Sequence, residues 1–192
     1  STVAGMAIAG GRAVDVTSAQ GLLLKAEELP ALAGLGLPVV LNLATRDVNA
    51  PLNIKNGHSD LAATLGWGWI TFLAPTVQAV YDLNIIALRV AEAVNLPAMI
   101  AYDGFHTSHA NRRIKVFKDR RTVRDFVGAE PPKRLSLLDL QHPHTFGPYM
   151  NDDLINTKVQ IEQKMGKALK LLPGIFDEYA RLSGRRYTFI EA

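Results

Sequence analysis

Apolar runs of strand length alternate along this chain with segments in which apolar residues recur at helical spacing. The strand-length runs occupy residues 13–17, 37–44, 68–73 and 96–103. Residues 22–32 and 76–95 carry apolar side chains every three or four positions, which predicts one helix in each segment. Because such alternation favours right-handed crossovers, the sequence predicts an α/β fold with a mostly parallel sheet flanked by helices.

The remaining segments extend this core at both ends. Residues 4–11 are typical of the end of a buried helix, so we expect the fold's first strand–helix elements to be missing from this sequence. Residues 128–150 are punctuated by proline and lack periodicity, which predicts an extended arm over a neighbour. After the arm, the pattern predicts a helix to residue 172, a break at Pro173 and Gly174, and a shorter final helix. We therefore divide the chain into a core at 1–127, the arm at 128–150, and helices at 151–192 that pack on the same domain.

Composition narrows the class of protein. The chain is 48% hydrophobic and 20% charged, which is typical of a globular domain. No apolar run approaches the roughly 18 residues that a membrane span needs, so we expect a cytoplasmic protein without a membrane partner. The sequence contains no cysteine, so cysteine-ligated iron–sulfur clusters would have to lie on partner subunits.

Positive charge is concentrated in one segment. The net charge is only +3, but residues 111–124 hold seven Lys or Arg residues. The interleaved Ile114, Val116 and Phe117 favour a strand that is partly buried at a subunit contact. We therefore expect no nucleic acid partner. A self-contained nucleotide-binding or RNA-binding α/β module that uses residues 112–124 is kept as an alternative.

Two segments follow predicted strands and carry polar groups suited to a ligand. Arg46 begins a loop rich in Asn, Asp and Pro, and its guanidinium can hold a carboxylate through two hydrogen bonds, although an ordinary surface arginine fits the position too. The turn at residues 17–21 offers small hydroxyls and backbone N–H groups to an anion or a heterocycle, or simply caps a helix. It matches neither glycine-rich phosphate-binding pattern.

Other combinations of reactive residue types have weaker support. His106 and His109 are spaced as in some metal sites, and Asp103 precedes them, but no compact set of third and fourth ligands is evident. Serine hydrolase triads can be drawn from residues 58–60 or from residues 103–109, but neither serine lies in a G-x-S-x-G elbow. We predict that Trp67 and Trp69 pack in the core.

A series of short motifs runs in order through almost the whole chain. They are TSAQGLLL at 17–24, LPVV at 37–40, ATR at 44–46, NAPLNI at 49–54, HSD at 58–60, GWI at 68–70, Gln78 with Asp82, DGF at 103–105, SH at 108–109 and GRRY at 184–187. In order and spacing they resemble the α-type, pyrimidine-side domain of the pyruvate:ferredoxin (2-oxoacid:acceptor) oxidoreductase family.

The resemblance implies a function that is shared with other subunits. In this family thiamine diphosphate and Mg²⁺ lie between the pyrimidine-type domain and a separate pyrophosphate-binding, β-type subunit. A 2-oxoacid is oxidatively decarboxylated to an acyl-coenzyme A, and electrons pass to iron–sulfur subunits. By the same resemblance Arg46 contacts the substrate carboxylate, and Thr17, Ser18, Gln20 and Gly21 lie close to the thiamine. No metal ligand is expected in this chain.

Two departures from the family pattern matter for function. The family's catalytic glutamate is expected before residue 1, so we assign no catalytic residue in this chain, and a noncatalytic docking subunit is the alternative function. Residues 61–67 are more apolar than is usual in pyruvate enzymes, which favours a bulkier or aromatic 2-oxoacid such as phenylglyoxylate.

Overall fold

A computed structural model of the chain describes residues 2–131, 136–147 and 153–190. Among these residues, the helices and strands follow in the order α1 (Thr2–Ile8), β1 (Ala13–Thr17), α2 (Gln20–Leu23), α3 (Glu28–Gly34), β2 (Val39–Thr45), α4 (Ser59–Thr64), β3 (Ile70–Ala74), α5 (Val77–Val94), β4 (Ala98–Asp103), α6 (His106–His109), α7 (Arg120–Val127) and α8 (Leu154–Ser183). The α/β class is therefore confirmed.

The four strands form one sheet in the order β1-β2-β4-β3, and every neighbouring pair is parallel. Helices α5, α7 and α8 cover one face, where Val40, Ile100 and Tyr179 belong to the same buried cluster. Helices α1 and α3 cover the other face around Leu41 and Met99. The predicted parallel sheet with helices on both faces is thus confirmed.

Helix α5 has the bounds that the sequence predicts because both of its caps are local. The Thr76 hydroxyl accepts a hydrogen bond from the Ala79 N–H at 3.1 Å, which satisfies a donor of the first turn. Asn95 adopts the left-handed conformation at the other end, with φ 52°. One face of α5 packs on the sheet and another on α8, as its nearly all-round apolar pattern predicts.

The single helix predicted over residues 22–32 is wrong. The chain forms α2, a turn at residues 24–27, and then α3. Pro30 is the third residue of α3, and proline is tolerated in a first turn because its missing N–H has no acceptor there. A new helix beginning just before Pro30 avoids the proline clash that one continuous helix would contain.

The predicted helix break at Pro173 and Gly174 is also wrong, because α8 continues to Ser183 and ends at Gly184. An interior proline costs about 3 kcal/mol. Pro173 and Gly174 are exposed, whereas Leu172, Ile175, Phe176 and Tyr179 are buried on the opposite side of the helix. Burial of each such side chain contributes about 1.5–3 kcal/mol, which together exceeds the proline penalty.

The basic segment is not a strand. Residues 111–119 have no regular structure, so the predicted strand is wrong, while burial of this segment at a subunit contact stays a prediction. Backbone pairing is replaced by side-chain contacts, since the Gln78 amide bonds both the N–H and the C=O of Lys115. Only Phe117 reaches the core, where its ring meets Tyr179 edge-on.

The predicted arm at 128–150 is described only in part. Within residues 136–147 the Leu137 N–H donates to the Ile8 carbonyl at 3.0 Å, and Phe146 packs against the second cluster. Residues 132–135 and 148–152 lie outside the described residues. Contact of the arm with a neighbour, the domain division and the missing first elements therefore stay predictions.

Candidate functional site

The candidate site lies where the parallel strands end. Thr17 pairs with Leu43, and Thr45 pairs with Asp103, so the carboxyl ends of β1, β2 and β4 lie side by side. The connection after β1 covers one face of the sheet, and α5 covers the other. In parallel α/β sheets, ligands bind in the crevice at such a point.

A buried carboxylate joins the loops that follow β1 and β2. Asp60 is 0% exposed, and its Oδ2 accepts hydrogen bonds from the N–H groups of Ala19 at 2.9 Å and Arg46 at 3.0 Å. Its Oδ1 accepts the Leu61 N–H at 2.7 Å. All of these donors are backbone groups, so Asp60 fixes the main chain on both sides of the crevice.

Arg46 is held at one nitrogen of its guanidinium and by its backbone. Its Nε donates to the Ser18 hydroxyl at 2.7 Å, and that hydroxyl donates to the Ala44 carbonyl at 2.6 Å. Among the described residues no acceptor bonds Nη1 or Nη2 of Arg46. The side chain is therefore oriented by Ser18, and its two Nη groups remain able to donate hydrogen bonds.

The turn after β1 lies beside the hydroxyl of Thr17, the last residue of that strand. Within the described ranges nothing bonds Thr17 Oγ1, and a Cβ on Gly21 would lie 2.8 Å from that oxygen. Gly21 thus leaves room beside the hydroxyl, while the Gln20 amide donates to the Asn49 carbonyl at 3.0 Å. Ala19 has φ 44° and ψ −120°, a strained backbone for an L-residue.

The loop after β4 forms a tight turn around Asp103. Its Oδ1 accepts the N–H groups of Phe105 at 2.9 Å and Thr107 at 3.1 Å, and also that of His106. Burial alone would raise the pKa of Asp103, but these backbone donors outweigh it and hold the pKa below its usual range. Asp103 is therefore a structural cap of this turn.

A large cavity opens beside β3, with a volume of about 780 Å³. Its walls come from β3, the middle of α8 and the segment that follows α8, and they include Leu61 and Leu65 from the apolar segment at residues 61–67. His58 also lines it, and its Nδ1 lies 3.0 Å from the Thr45 hydroxyl. The cavity thus reaches the carboxyl edge of the sheet.

A second buried carboxylate anchors the end of the chain. Asp82 on α5 is 0% exposed and pairs with Arg185 at 2.6 and 2.8 Å. It also accepts the hydroxyls of Tyr179 and Tyr187, each at 2.6 Å. The sequence motifs containing these residues gave no hint of their contact, because Arg185 lies 103 residues after Asp82.

The described residues do not form the serine hydrolase triads or the metal site that the sequence analysis considered. Asp60 is committed to backbone donors, so it does not orient His58 toward Ser59. Ser108 lies 2.8 Å from His109 Nδ1, but the Asp103 carboxylate caps its own turn. The described part of the chain also contains no group of three or more His, Cys, Asp or Glu side chains that could hold a metal. No described helix is long and apolar enough to cross a membrane.

Trp67 and Trp69 pack as predicted. Trp69 is 6% exposed, and its indole N–H donates to the Leu29 carbonyl at 2.8 Å. Trp67 packs against the same cluster.

Comparison with known proteins assigns the chain to a family. The family model described as "Pyruvate flavodoxin/ferredoxin oxidoreductase, thiamine diP-bdg" matches residues 1–181. The chain belongs to this family. The resemblance predicted from the short motifs is therefore confirmed.

Relatives agree with this family over the whole chain. The chain is 39% identical to pyruvate synthase subunit PorA of Thermotoga maritima, covering 100% of this chain and 49% of that protein. It is 30% identical to ketoisovalerate oxidoreductase subunit VorA of Pyrococcus abyssi, covering 96% and 46%. The chain thus spans about half the length of these relatives.

A solved structure supports the fold. The 2-oxoglutarate:ferredoxin oxidoreductase from Magnetococcus marinus has a TM-score of 0.57 at 18% identity. The match covers 90% of this chain and 35% of that one. At this identity the likeness concerns the fold alone.

Proposed function

We propose that this chain is the α-type component of a thiamine diphosphate-dependent 2-oxoacid:acceptor oxidoreductase. The complex oxidatively decarboxylates a 2-oxoacid to an acyl-coenzyme A. The observation that carries the proposal is Arg46, whose Nε is held by Ser18 while its Nη groups have no acceptor among the described residues. Relatives named for pyruvate and ketoisovalerate support a 2-oxoacid as the substrate class.

Arg46 binds the substrate carboxylate in this proposal. A guanidinium places two N–H groups in the plane of a carboxylate, a geometry that an ammonium group does not reproduce. Ser18 and Asp60 reduce the ordering cost by fixing the arginine before the substrate binds. The role of this chain is therefore to bind and orient the acid.

The residues of the turn at 17–21 fit the polar edge of the thiamine pyrimidine ring. The Thr17 hydroxyl has no partner in the described part of the chain, and Gly21 leaves space next to it. We assign Thr17, Ser18, Gln20 and Gly21 to this contact. When bound, the cofactor supplies the carbon nucleophile and the electron sink for decarboxylation.

The other components lie on partners in this proposal. Mg²⁺ and the diphosphate are held with a pyrophosphate-binding, β-type subunit, and iron–sulfur subunits receive the electrons. The apolar residues Leu61 and Leu65, which line the cavity of about 780 Å³, support a 2-oxoacid with a bulky or aromatic side chain.

The test is dye reduction by the complex that contains this chain. Reduction of a viologen is measured with pyruvate, 2-oxoisovalerate and phenylglyoxylate, with thiamine diphosphate and Mg²⁺ supplied, and with or without coenzyme A. We expect 2-oxoacid-dependent reduction that leads to an acyl-coenzyme A. Absence of reduction with every acid would refute the enzyme function and favour the noncatalytic docking subunit.

Variants of Arg46 test its assigned role. Arg46→Ala removes a charge-assisted contact of about 1.5–3 kcal/mol, so kcat/KM for the acid should fall roughly 10- to 150-fold. Arg46→Lys should recover only part of this loss, because the paired geometry is absent. Arg181→Ala, at an exposed position of α8, is the control and should leave kcat/KM unchanged.

A further inference from the structure

The loop between β2 and α4 contains a chemically labile pair of residues. Asn56 and Gly57 form the only Asn-Gly step in the sequence. Asparagine is a thermolabile residue because the backbone nitrogen of the next residue can attack its carboxamide carbon. A side chain on that next residue hinders the attack, and glycine has none. Asn56 is therefore the asparagine of this chain at which such an attack is least hindered.

Packing keeps a glycine at position 57. A Cβ on Gly57 would overlap the Asp47 carboxylate. That carboxylate is held in place, since its Oδ1 accepts the Ser59 hydroxyl at 3.2 Å. The close approach of two chain segments thus requires glycine here, and the residue after Asn56 lacks a side chain for a structural reason.

The side chain of Asn56 is open to solvent. The residue is exposed, and in the described part of the chain nothing bonds its carboxamide. Apart from one isolated bridge, residues 47–58 contain no helix or strand. Local opening of such a loop costs little free energy, so the Gly57 nitrogen can reach the Asn56 carboxamide.

Asn56 also lies directly opposite Arg46. The two residues form an isolated antiparallel bridge. Residues paired in this way carry their side chains on the same face, with Cβ atoms about 5 Å apart. A negative charge at position 56 would therefore lie within ion-pair reach of the Arg46 guanidinium, whose Nη groups have no acceptor among the described residues.

We propose that Asn56 is a site of spontaneous deamidation that places a carboxylate beside Arg46. The Gly57 nitrogen loses its proton to solvent and bonds to Asn56 Cγ, and the Cγ–Nδ2 bond breaks as the amide nitrogen takes up a proton and leaves as ammonia. Water then opens the cyclic imide at either carbonyl, which gives aspartate or isoaspartate. The net change is hydrolysis of an amide to a carboxylate and ammonia, without an oxidant or a reductant.

The new carboxylate competes with the substrate carboxylate for Arg46. This consequence rests on the proposed function, whereas the reaction at Asn56 does not. Deamidation thus gives the complex a slow, irreversible loss of affinity for its 2-oxoacid as the protein ages.

The first measurement detects the reaction in the complex that contains this chain. The complex is aged in water enriched in heavy oxygen, at neutral and at mildly alkaline pH, and its tryptic peptides are analysed by mass spectrometry. We expect residue 56 to gain one solvent oxygen, and to do so faster at the higher pH because the deprotonated nitrogen attacks. Asn49 is exposed in the same loop but precedes an alanine, so it should stay unmodified. Cleavage after Lys55 places the two asparagines on different peptides.

The second measurement uses Asn56→Asp, which reproduces the aspartate product in a complex that has not aged. KM for the 2-oxoacid should rise roughly two- to fivefold, as one exposed ion pair predicts, while kcat stays unchanged. The rise should shrink at high salt because exposed charges are screened. The matched control is Asn49→Asp, which adds the same charge to the same loop at a position that is not paired with Arg46. Asn56→Gln keeps a neutral amide whose cyclic imide forms far more slowly, so it should leave KM unchanged and stop the reaction.

The outcomes separate the modification from its effect. Solvent oxygen at residue 56 in a complex that acts on no 2-oxoacid would refute the proposed function and support the modification site. Conversion of Asn56 no faster than that of Asn49 would overturn the modification site. An equal rise in KM for Asn56→Asp and Asn49→Asp would overturn the competition for Arg46.

Discussion

Replacement of Asp60 by asparagine tests whether one buried carboxylate fixes the loops of the candidate site. In the native chain the two carboxylate oxygens accept three backbone N–H groups, from Ala19, Arg46 and Leu61. Asparagine keeps the shape but offers only one acceptor oxygen, and its NH₂ group is a donor. At least one backbone N–H must therefore face another donor.

The expected loss follows from these contacts. A buried donor left without an acceptor costs about 1–3 kcal/mol, and bonds to a neutral acceptor are roughly half as strong as those to a carboxylate. Asp60→Asn should therefore lower the free energy of unfolding by about 2–4 kcal/mol. Asp60→Ala removes every acceptor and should cost more.

Equilibrium urea unfolding, followed by the fluorescence of the buried Trp69, measures this loss. Asp177→Asn is the matched control, because that carboxylate is 59% exposed and lies 3.9 Å from Arg186. Exposed pairs of this kind contribute about 0–1 kcal/mol. If Asp60→Asn costs no more than Asp177→Asn, the assignment of Asp60 as the junction of the two loops is refuted.

Three further predictions concern stability and ionisation. Asp82→Asn should cost about 3–5 kcal/mol in urea unfolding because it leaves the Arg185 cation without its buried partner; an unchanged midpoint would contradict this. Ala19→Gly should raise the free energy of unfolding by about 1 kcal/mol by relieving strain at φ 44°, and a loss of stability would argue against strain. Burial, followed by the Asp82 hydrogen bond, raises the pKa of Tyr179, and burial raises that of Tyr102. The folded state therefore holds these two phenol protons more tightly than the unfolded state does. The resulting contribution to the free energy of unfolding is present below about pH 10 and is lost as the pH rises further. A pH titration followed by tyrosinate absorbance in the ultraviolet should show ionisation above the usual pKa of tyrosine. Tyr179→Phe should reduce the amplitude of that ionisation.

Local signals explain which elements the sequence predicts well. The bounds of β1 match because its β-branched run ends at a polar turn, and α5 matches because Thr76 and Asn95 cap it. The path of α8 through Pro173 follows from packing against α5, where the apolar spacing of Leu172, Ile175, Phe176 and Tyr179 continues across the proline. A proline therefore does not end a helix where burial of the helix's apolar face outweighs the proline penalty.

Local signals in the sequence likewise predict one residue of the candidate site and miss another. The position of Arg46 at the end of an apolar strand predicts a ligand contact, which stays a prediction, and the structure places its guanidinium beside Ser18. The role of Asp60 was missed because its partners are backbone N–H groups, which every residue type carries. The available signals were the HSD motif and the position of the aspartate in the first turn of α4, which equally fits an ordinary helix start.

The distribution of charge links these residues to the proposed chemistry. The acidic side chains that the structure describes as buried are Asp60, Asp82 and Glu92, and each is committed to donors within the chain. Arg46, at the carboxyl edge of the sheet, has no acceptor for Nη1 and Nη2 in the part of the chain that the structure describes. Buried acids thus hold the scaffold, whereas the guanidinium of Arg46 keeps the donors that the proposed contact with a substrate carboxylate would use.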